Sequence, residues 1–474
     1  MRLALLGLLA GCNLAFGLEH QPPPPIDAPA DAPLDAGLPP IAGSLAYEYL
    51  FNSAGFLPQL LRTIYPGTGL VITVADPAGG AAQPVAYDDT TGGFTVPRRG
   101  SAPERVQLHF GAYVIEYQWS LPALGASLVV YGPVGASLAP PGTTLTGRLT
   151  PGTPTTNPLQ LVIYASGAWS AYNASFVPAG GYTVAWSGYL ANASAHDQLI
   201  AAGYDTDANG NAVVDRKQVL APISLAGGPN MRDITLAPVS LSACIKATTN
   251  LAADVARLDA LYAGYSPGPA GGVFLVDALP RPDLGPAIAF QLGRSPQGAA
   301  SLMMAYEPAI FPGFTPMAVT LVSRSRMVNN TAVTIVDQRF APIQDRTCGT
   351  TVAMPAHTGA LPSGFALDGH PLAADDAVIT RSGPTLALTW AANGPADLYQ
   401  VQLVDVTTGG LVLHTYYATA PRVVVDATDF VAGDRYVAEV TATLGLPGIA
   451  DGDTTIAAYP LEHATGASYT FTVQ

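Results

Sequence analysis

Lysine is almost missing from this chain: it occurs only at Lys217 and Lys246, and every other basic residue is arginine. With 20 Lys and Arg against 34 Asp and Glu, the formal net charge is −14. Phosphate neutralisation needs clustered cations, so nucleic acid is excluded as a partner. Charged residues of all kinds reach only 11%, too few to cover the polar faces of long amphipathic helices. The seven histidines, His20, His109, His196, His357, His370, His414 and His463, include no pair at the spacing a zinc-binding helix or hairpin needs. His196 beside Asp197 reads as a solvated loop, because sequence neighbours in a strand point to opposite faces. The carboxylate neighbours Asp88-Asp89 and Asp375-Asp376 fall in polar turns and give no glycosidase pair.

One further chemistry is excluded by a single residue. Gly264-Tyr265-Ser266-Pro267-Gly268 has the letters of a nucleophile elbow, but the residue after the serine must donate its backbone N–H to an oxyanion, and Pro267 has none. No catalytic residue is assigned, and the chain reads as a non-enzyme.

What is present is turn chemistry. The 474 residues include 49 Gly and 43 Pro, and the length suggests about three or four domains. Short alternating apolar runs punctuated by Gly, Pro, Asn and Asp predict an all-β chain of tandem sandwiches. Leu70, Ile72 and Val74 alternate before Asp76-Pro77-Ala78-Gly79-Gly80, and Val106, Leu108 and Phe110 alternate against Gln107 and His109. These runs place a first β domain at 42–140. Leu251, Val255, Leu258 and Tyr262 share one helical face, with Thr249 or Asn250 to cap it and Gly264 to end it. This predicts one helix in a β-rich domain at 241–362.

The N-terminus has its own logic. Met1-Arg2 and the apolar Leu3–Leu9 form an export signal too short to span a bilayer. Leu9-Ala10-Gly11-Cys12 follows and resembles the lipobox of bacterial lipoproteins. The resemblance implies a signal peptide at 1–11, lipidation of Cys12 and, since Asn13 replaces the aspartate that retains such proteins in the inner membrane, an outer-membrane location. The brevity of the signal leaves open whether Met1 is the true start. Residues 12–41 carry Pro22-Pro23-Pro24-Pro25 and then Asp27, Asp31 and Asp35 among Ala and Pro, a disordered linker of polyproline character that spaces the body from the membrane.

Two further regions resemble known modules. Leu145–Leu149, Leu159–Tyr164 and Pro178-Ala179-Gly180-Gly181-Tyr182-Thr183-Val184 resemble the transthyretin-like and carboxypeptidase-regulatory-like sandwiches of bacterial surface proteins, over 141–240. Alternating runs from Leu386 to Val473, with Trp390 on an early strand and Phe430-Val431-Ala432-Gly433-Asp434-Arg435-Tyr436, resemble a fibronectin type III domain over 363–474, in which Trp390 fills the core and Tyr436 bonds back to upstream backbone.

Three candidate sites remain. Asp205, Asp207 and Asn209, with Gly210 in sixth place, start like a calcium loop, and Asn211 and Asp215 could complete it. The alternative is a hairpin whose Asp and Asn side chains satisfy local N–H groups. Cys244 and Cys348 pair as a disulfide in an oxidising compartment, the alternative being two buried thiols. Trp169 and Tyr172 either form an exposed platform for a ligand or pack in a core. The sequence therefore suggests a membrane-anchored, non-catalytic binding or adhesion module for an unidentified protein or glycan. A structural part of an envelope complex and an enzyme with a dispersed site remain as alternatives.

Overall fold

The computed structural model describes residues 38–474 apart from 53–57, 77–80, 132–138, 151–158, 165–171, 175–180, 187–189, 196, 221, 250, 268–271, 280–286, 295–300, 307–314, 344–350, 355 and 456. The described chain is all-β, built of packed sheets, with one α-helix, Leu251–Leu261. No helix among the described residues is long and apolar enough to cross a membrane.

At the N-terminal end, the strand Ile41–Asn52 pairs antiparallel with Pro58–Ile64 and Gly93–Val96 and parallel with Ala123–Tyr131. Its sheet faces the strands Leu70–Ala75, Glu104–Phe110 and Tyr113–Trp119. The apolar alternates read from sequence share one side: Ile72, Val74, Val106, Leu108 and Phe110 all enter one core with Ile41, Leu45 and Trp119. In the next module, Gly181–Ala185 buries Tyr182 and Val184 and leaves Gly181, Thr183 and Ala185 exposed. The Tyr182 hydroxyl donates to the Arg232 carbonyl at 2.6 Å.

The helix lies against the long hairpin of Thr315–Val328 and Thr331–Pro342. Asn329 and Asn330 close that hairpin with φ of 47° and 65°, the left-handed pair that a two-residue turn between twisted strands requires and that asparagine tolerates. Leu251, Leu258 and Tyr262 are buried as their spacing predicts, and Gly264 (φ 99°) follows the last turn. Asp254 is also buried on that face, a burial that apolar periodicity does not reveal.

The C-terminal sandwich sets Ser363–Leu367, Thr385–Ala391 and Arg422–Asp426 against Gly410–Ala418, Leu398–Asp405, Tyr436–Leu444 and Leu461–Ala467. Trp390 packs edge-on to Tyr399 at 5.2 Å. The Tyr436 phenol oxygen accepts the Val431 N–H at 2.8 Å.

The segments separated by turn signals in sequence are joined by backbone ladders. Tyr113–Trp119 pairs parallel with Gly410–Ala418, Thr331–Pro342 pairs with Leu461–Ala467, and Ala212–Val219 meets Ala287–Arg294. Side chains cross the same seams: Leu398 and Leu446 of the last module sit in the core of the first. Because Leu398 is the only part of its strand in that core, Leu398→Ala should cost about 2–5 kcal/mol. In urea unfolding followed by tryptophan fluorescence, the first and last modules should lose stability together; a shift confined to one of two resolved transitions would contradict the shared core.

Candidate functional site

The residues selected from sequence are spread over the molecule. Asp205–Asp215 is the turn between Gln198–Thr206 and Ala212–Val219. Asp207 Oδ1 accepts the N–H groups of Asn209 and Asn211 at 2.9 and 2.8 Å, and Asp207 Oδ2 accepts from the Asn211 amide at 2.9 Å. Asn209 and Asn211 both donate to the Met303 carbonyl, so the turn is pinned to the neighbouring module. Asp205 and Asp215 lie instead beside the Arg216 guanidinium. Cys244 lies on the strand Ala243–Thr248, and Tyr172 opens the strand Tyr172–Ala174. Cys12, Trp169 and Cys348 fall outside the described residues. Asp197 departs from the solvated-loop expectation: it is 1% exposed, accepts the Asn192 N–H at 2.7 Å, and burial pushes its carboxyl up to about 6.

The dense titratable clusters lie elsewhere, at two seams between modules. The first is built on the polar face of Glu104–Phe110 and Tyr113–Trp119, opposite the apolar alternates Val106, Leu108 and Phe110. Register sets Arg105 opposite Gln118 and Gln107 opposite Glu116; Gly410–Ala418 extends their sheet, and Arg422–Asp426 meets this face through Asp426 and Val424, leaving Arg105, Gln107 and Gln118 under 8% exposed and Glu116 at 0%. A carboxylate this deep needs donors. Arg105 supplies two, at 2.7 and 2.9 Å, and the amides of Gln107 and Gln118 each add one at 2.7 Å. The same guanidinium also holds Asp426 at 2.7 Å.

His414 closes this network, with Nε2 3.6 Å from Glu116 and Nδ1 3.1 Å from Asp429. Its ring stacks on Tyr416 at 4.0 Å, and the Tyr416 hydroxyl donates to Asp429. Burial opposes charge on the imidazole, but the hydrogen bonds and fields of Asp429 and Glu116 outweigh it and hold the pKa up at about 9.

The second network joins the helix, the long hairpin and the last module. His357 Nδ1 is 2.7 Å from Asp337 Oδ1, and its Nε2 is 2.7 Å from Thr320 Oγ1. Arg257 from the helix reaches Asp337 at 3.1 Å. Glu462 accepts the Gly359 N–H at 2.6 Å and the Thr358 N–H and Arg339 at 3.2 Å. Asp254 stands 3.9 Å from His357 Nε2.

Hydroxyl, imidazole and carboxylate in hydrogen-bonded series is the arrangement of a nucleophilic triad. Two features of Thr320, His357 and Asp337 set it apart. Thr320 and Asp337 are 3% and 0% exposed. Although burial opposes charge on His357, Asp337, Asp254 and Glu462 raise its pKa. The raised pKa favours the protonated imidazole, which has no lone pair to take a proton from Thr320.

Each network also contains three metal-ligand types, Glu116, His414 and Asp426 in one and Asp337, His357 and Glu462 in the other. In the first, a cation would have to displace the Arg105 guanidinium from both carboxylates. In the second, it would have to displace the Arg257 and Arg339 guanidiniums from Asp337 and Glu462. Neither donor set fits a resident cation as arranged, and both fit their arginines.

The folded-state pKa of His414 lies above its unfolded value, so its contribution to stability is complete below about pH 6.5 and is lost as pH rises through about 9. The melting temperature should therefore fall between pH 6.5 and 9.5, and His414→Gln should flatten that fall; equal slopes for the two proteins would refute the assignment.

No known protein family matches the chain, and no curated protein does. A solved structure of a tetra-tandem repeat in the extending region of a large adhesion protein is 14% identical, with 90% of this chain and 99% of that one covered, at a TM-score of 0.12. A superposition this loose carries no argument about function.

Proposed function

We propose that the chain is a membrane-anchored, surface-exposed lipoprotein whose β-rich body acts as a non-catalytic binding or adhesion module. The observation that carries this reading is the placement of reactive side chains. The two histidine–carboxylate networks are buried at seams between modules, and their hydrogen bonds are spent on neighbouring arginines, amides and backbone. Groups so committed hold elements in register and offer a substrate no free nucleophile or base. Anchoring rests on the lipobox residues Leu9-Ala10-Gly11-Cys12 and the acidic, proline-rich spacer behind them.

The topology supports the module resemblance at the C-terminus. Three strands face four, Trp390 fills the space between them, and the Tyr436 phenol is tied to upstream backbone. The reading includes a Cys244–Cys348 disulfide, the default pairing of two cysteines in an oxidising compartment. A disulfide there would stabilise the fold by about 3–5 kcal/mol in the chain-entropy picture.

Two experiments test the reading. Cys12→Ser should abolish incorporation of labelled fatty acid and release the body from the membrane fraction, whereas unchanged labelling would refute the anchor. Thr320→Val removes the hydroxyl that meets the buried His357 imidazole. If the protein is not a hydrolase, wild type and variant should give the same background rate on an activated ester such as p-nitrophenyl acetate; a rate that falls with Thr320→Val would overturn the non-catalytic reading.

A further inference from the structure

One face of the C-terminal sandwich carries a polar hollow that neither network uses. Along Leu398–Asp405 and Tyr436–Leu444, the residues Val401, Leu403, Ala438, Val440 and Ala442 fill the sandwich interior, so their alternates point to the opposite face. Register places Gln402 opposite Glu439, Gln400 opposite Thr441, Thr441 opposite Thr465 and Thr443 opposite His463. Gln400, Gln402, Glu439, Thr441, His463 and Thr465 are partly exposed. Around them on the same face, Leu398, Val404, Val437, Ala467, Val336 and Thr415 are buried, none above 8%.

Partly exposed residues ringed by buried ones on a continuous sheet form the floor of a recess, with other elements standing on its rim. Those elements are identifiable from the packing. Leu398 lies in the core of the first module, Val336 packs with Met317 and Phe340 of the long hairpin, and Val404 and Val437 join the core around the helix. At one margin the Tyr417 ring stacks on Tyr117 at 5.0 Å.

The floor offers hydrogen bonds with almost no fixed charge. Thr441 and Thr465 share a hydrogen bond at 2.8 Å, His463 Nδ1 meets the Thr443 hydroxyl at 3.1 Å, and the Gln402 amide donates to Thr415 at 3.4 Å. Burial pushes the Glu439 carboxyl up to about 7 and holds the His463 ring down at about 4, so near neutral pH the ring is uncharged and the carboxyl partly protonated. Amides, hydroxyls, a neutral imidazole and a carboxyl all offer donors and acceptors together. An anion would find no Lys or Arg among these floor residues, and a hydrocarbon would strand their amides and hydroxyls. Strand spacing and rise make the floor about 13 Å long and 10 Å wide.

We propose that this hollow binds a neutral saccharide, with Gln400, Gln402, Glu439, Thr441 and Thr465 as the hydrogen-bonding floor and Tyr417 as the flanking ring. The proposal rests on the reading of the protein as a binding module and names the ligand class and the site.

The test uses the detergent-solubilised full chain, probed with an array of neutral mono- to tetrasaccharides, with the strongest hit measured by calorimetry against Gln402→Ala and Thr441→Val. At least tenfold weaker binding in either variant, with an unchanged thermal melt, is the expected result. A hit of equal affinity for both variants would overturn the site while leaving the binding-module reading intact. A silent saccharide array, with a peptide library giving ligands that Gln402→Ala abolishes, would overturn the ligand class alone. No ligand in either library would sink the site and the binding-module reading together.

Discussion

The parallel pairing of Tyr113–Trp119 with Gly410–Ala418 is the constraint from which much of the rest follows. It lays one end of the chain on the other, with Glu116 wholly out of water at the seam. An unpaired carboxylate there would cost several kcal/mol. The pairing is therefore tolerable only with Arg105, Gln107 and Gln118 aimed at that carboxylate and His414 above it. Geometry and charge select each other: a slip of one residue in this pairing would turn His414 and Tyr416 to the other face, away from Glu116.

The second seam repeats the device with different residues. Helix, hairpin and last module meet over Asp337, His357 and Glu462, and each carboxylate is matched by an arginine or by backbone N–H groups. An apolar contact at either seam would hold the modules together with less orientational demand. A buried polar network tolerates few alternative arrangements, because each wrong one leaves a charge without a partner. The consequence is a body in which the walls of the hollow above Glu439 and Thr441 belong to different modules and are held in register by the seams.

Much of the local architecture was legible from residues alone. Alternation at Leu70–Val74 and Val106–Phe110, the helical face of Leu251, Leu258 and Tyr262, and the Tyr182–Val184 strand all depend on period and turn chemistry, which are written locally. The burial of the polar face of Arg105, Gln107, Glu116 and Gln118 is not legible for the same reason. A strand's polar alternates look identical whether water or another module covers them. Asp254 was invisible because periodicity counts apolar residues, and Asp197 because a buried carboxylate in a turn has no signature that a solvated one lacks.

By itself, the sequence determined the all-β class, the one helix among the described residues, the strand alternation and the failure of the serine elbow at Ser266. Each of these depends on composition, on neighbours a few positions apart, or on one residue such as Pro267. Only the tertiary structure decided which polar residues are buried, which histidines meet which carboxylates, and where a polar surface is both open and enclosed. His414 and Glu116, like His357 and Asp337, are brought together by strand pairings across long stretches of chain, and no local pattern encodes the partner that will remove a given side chain from water.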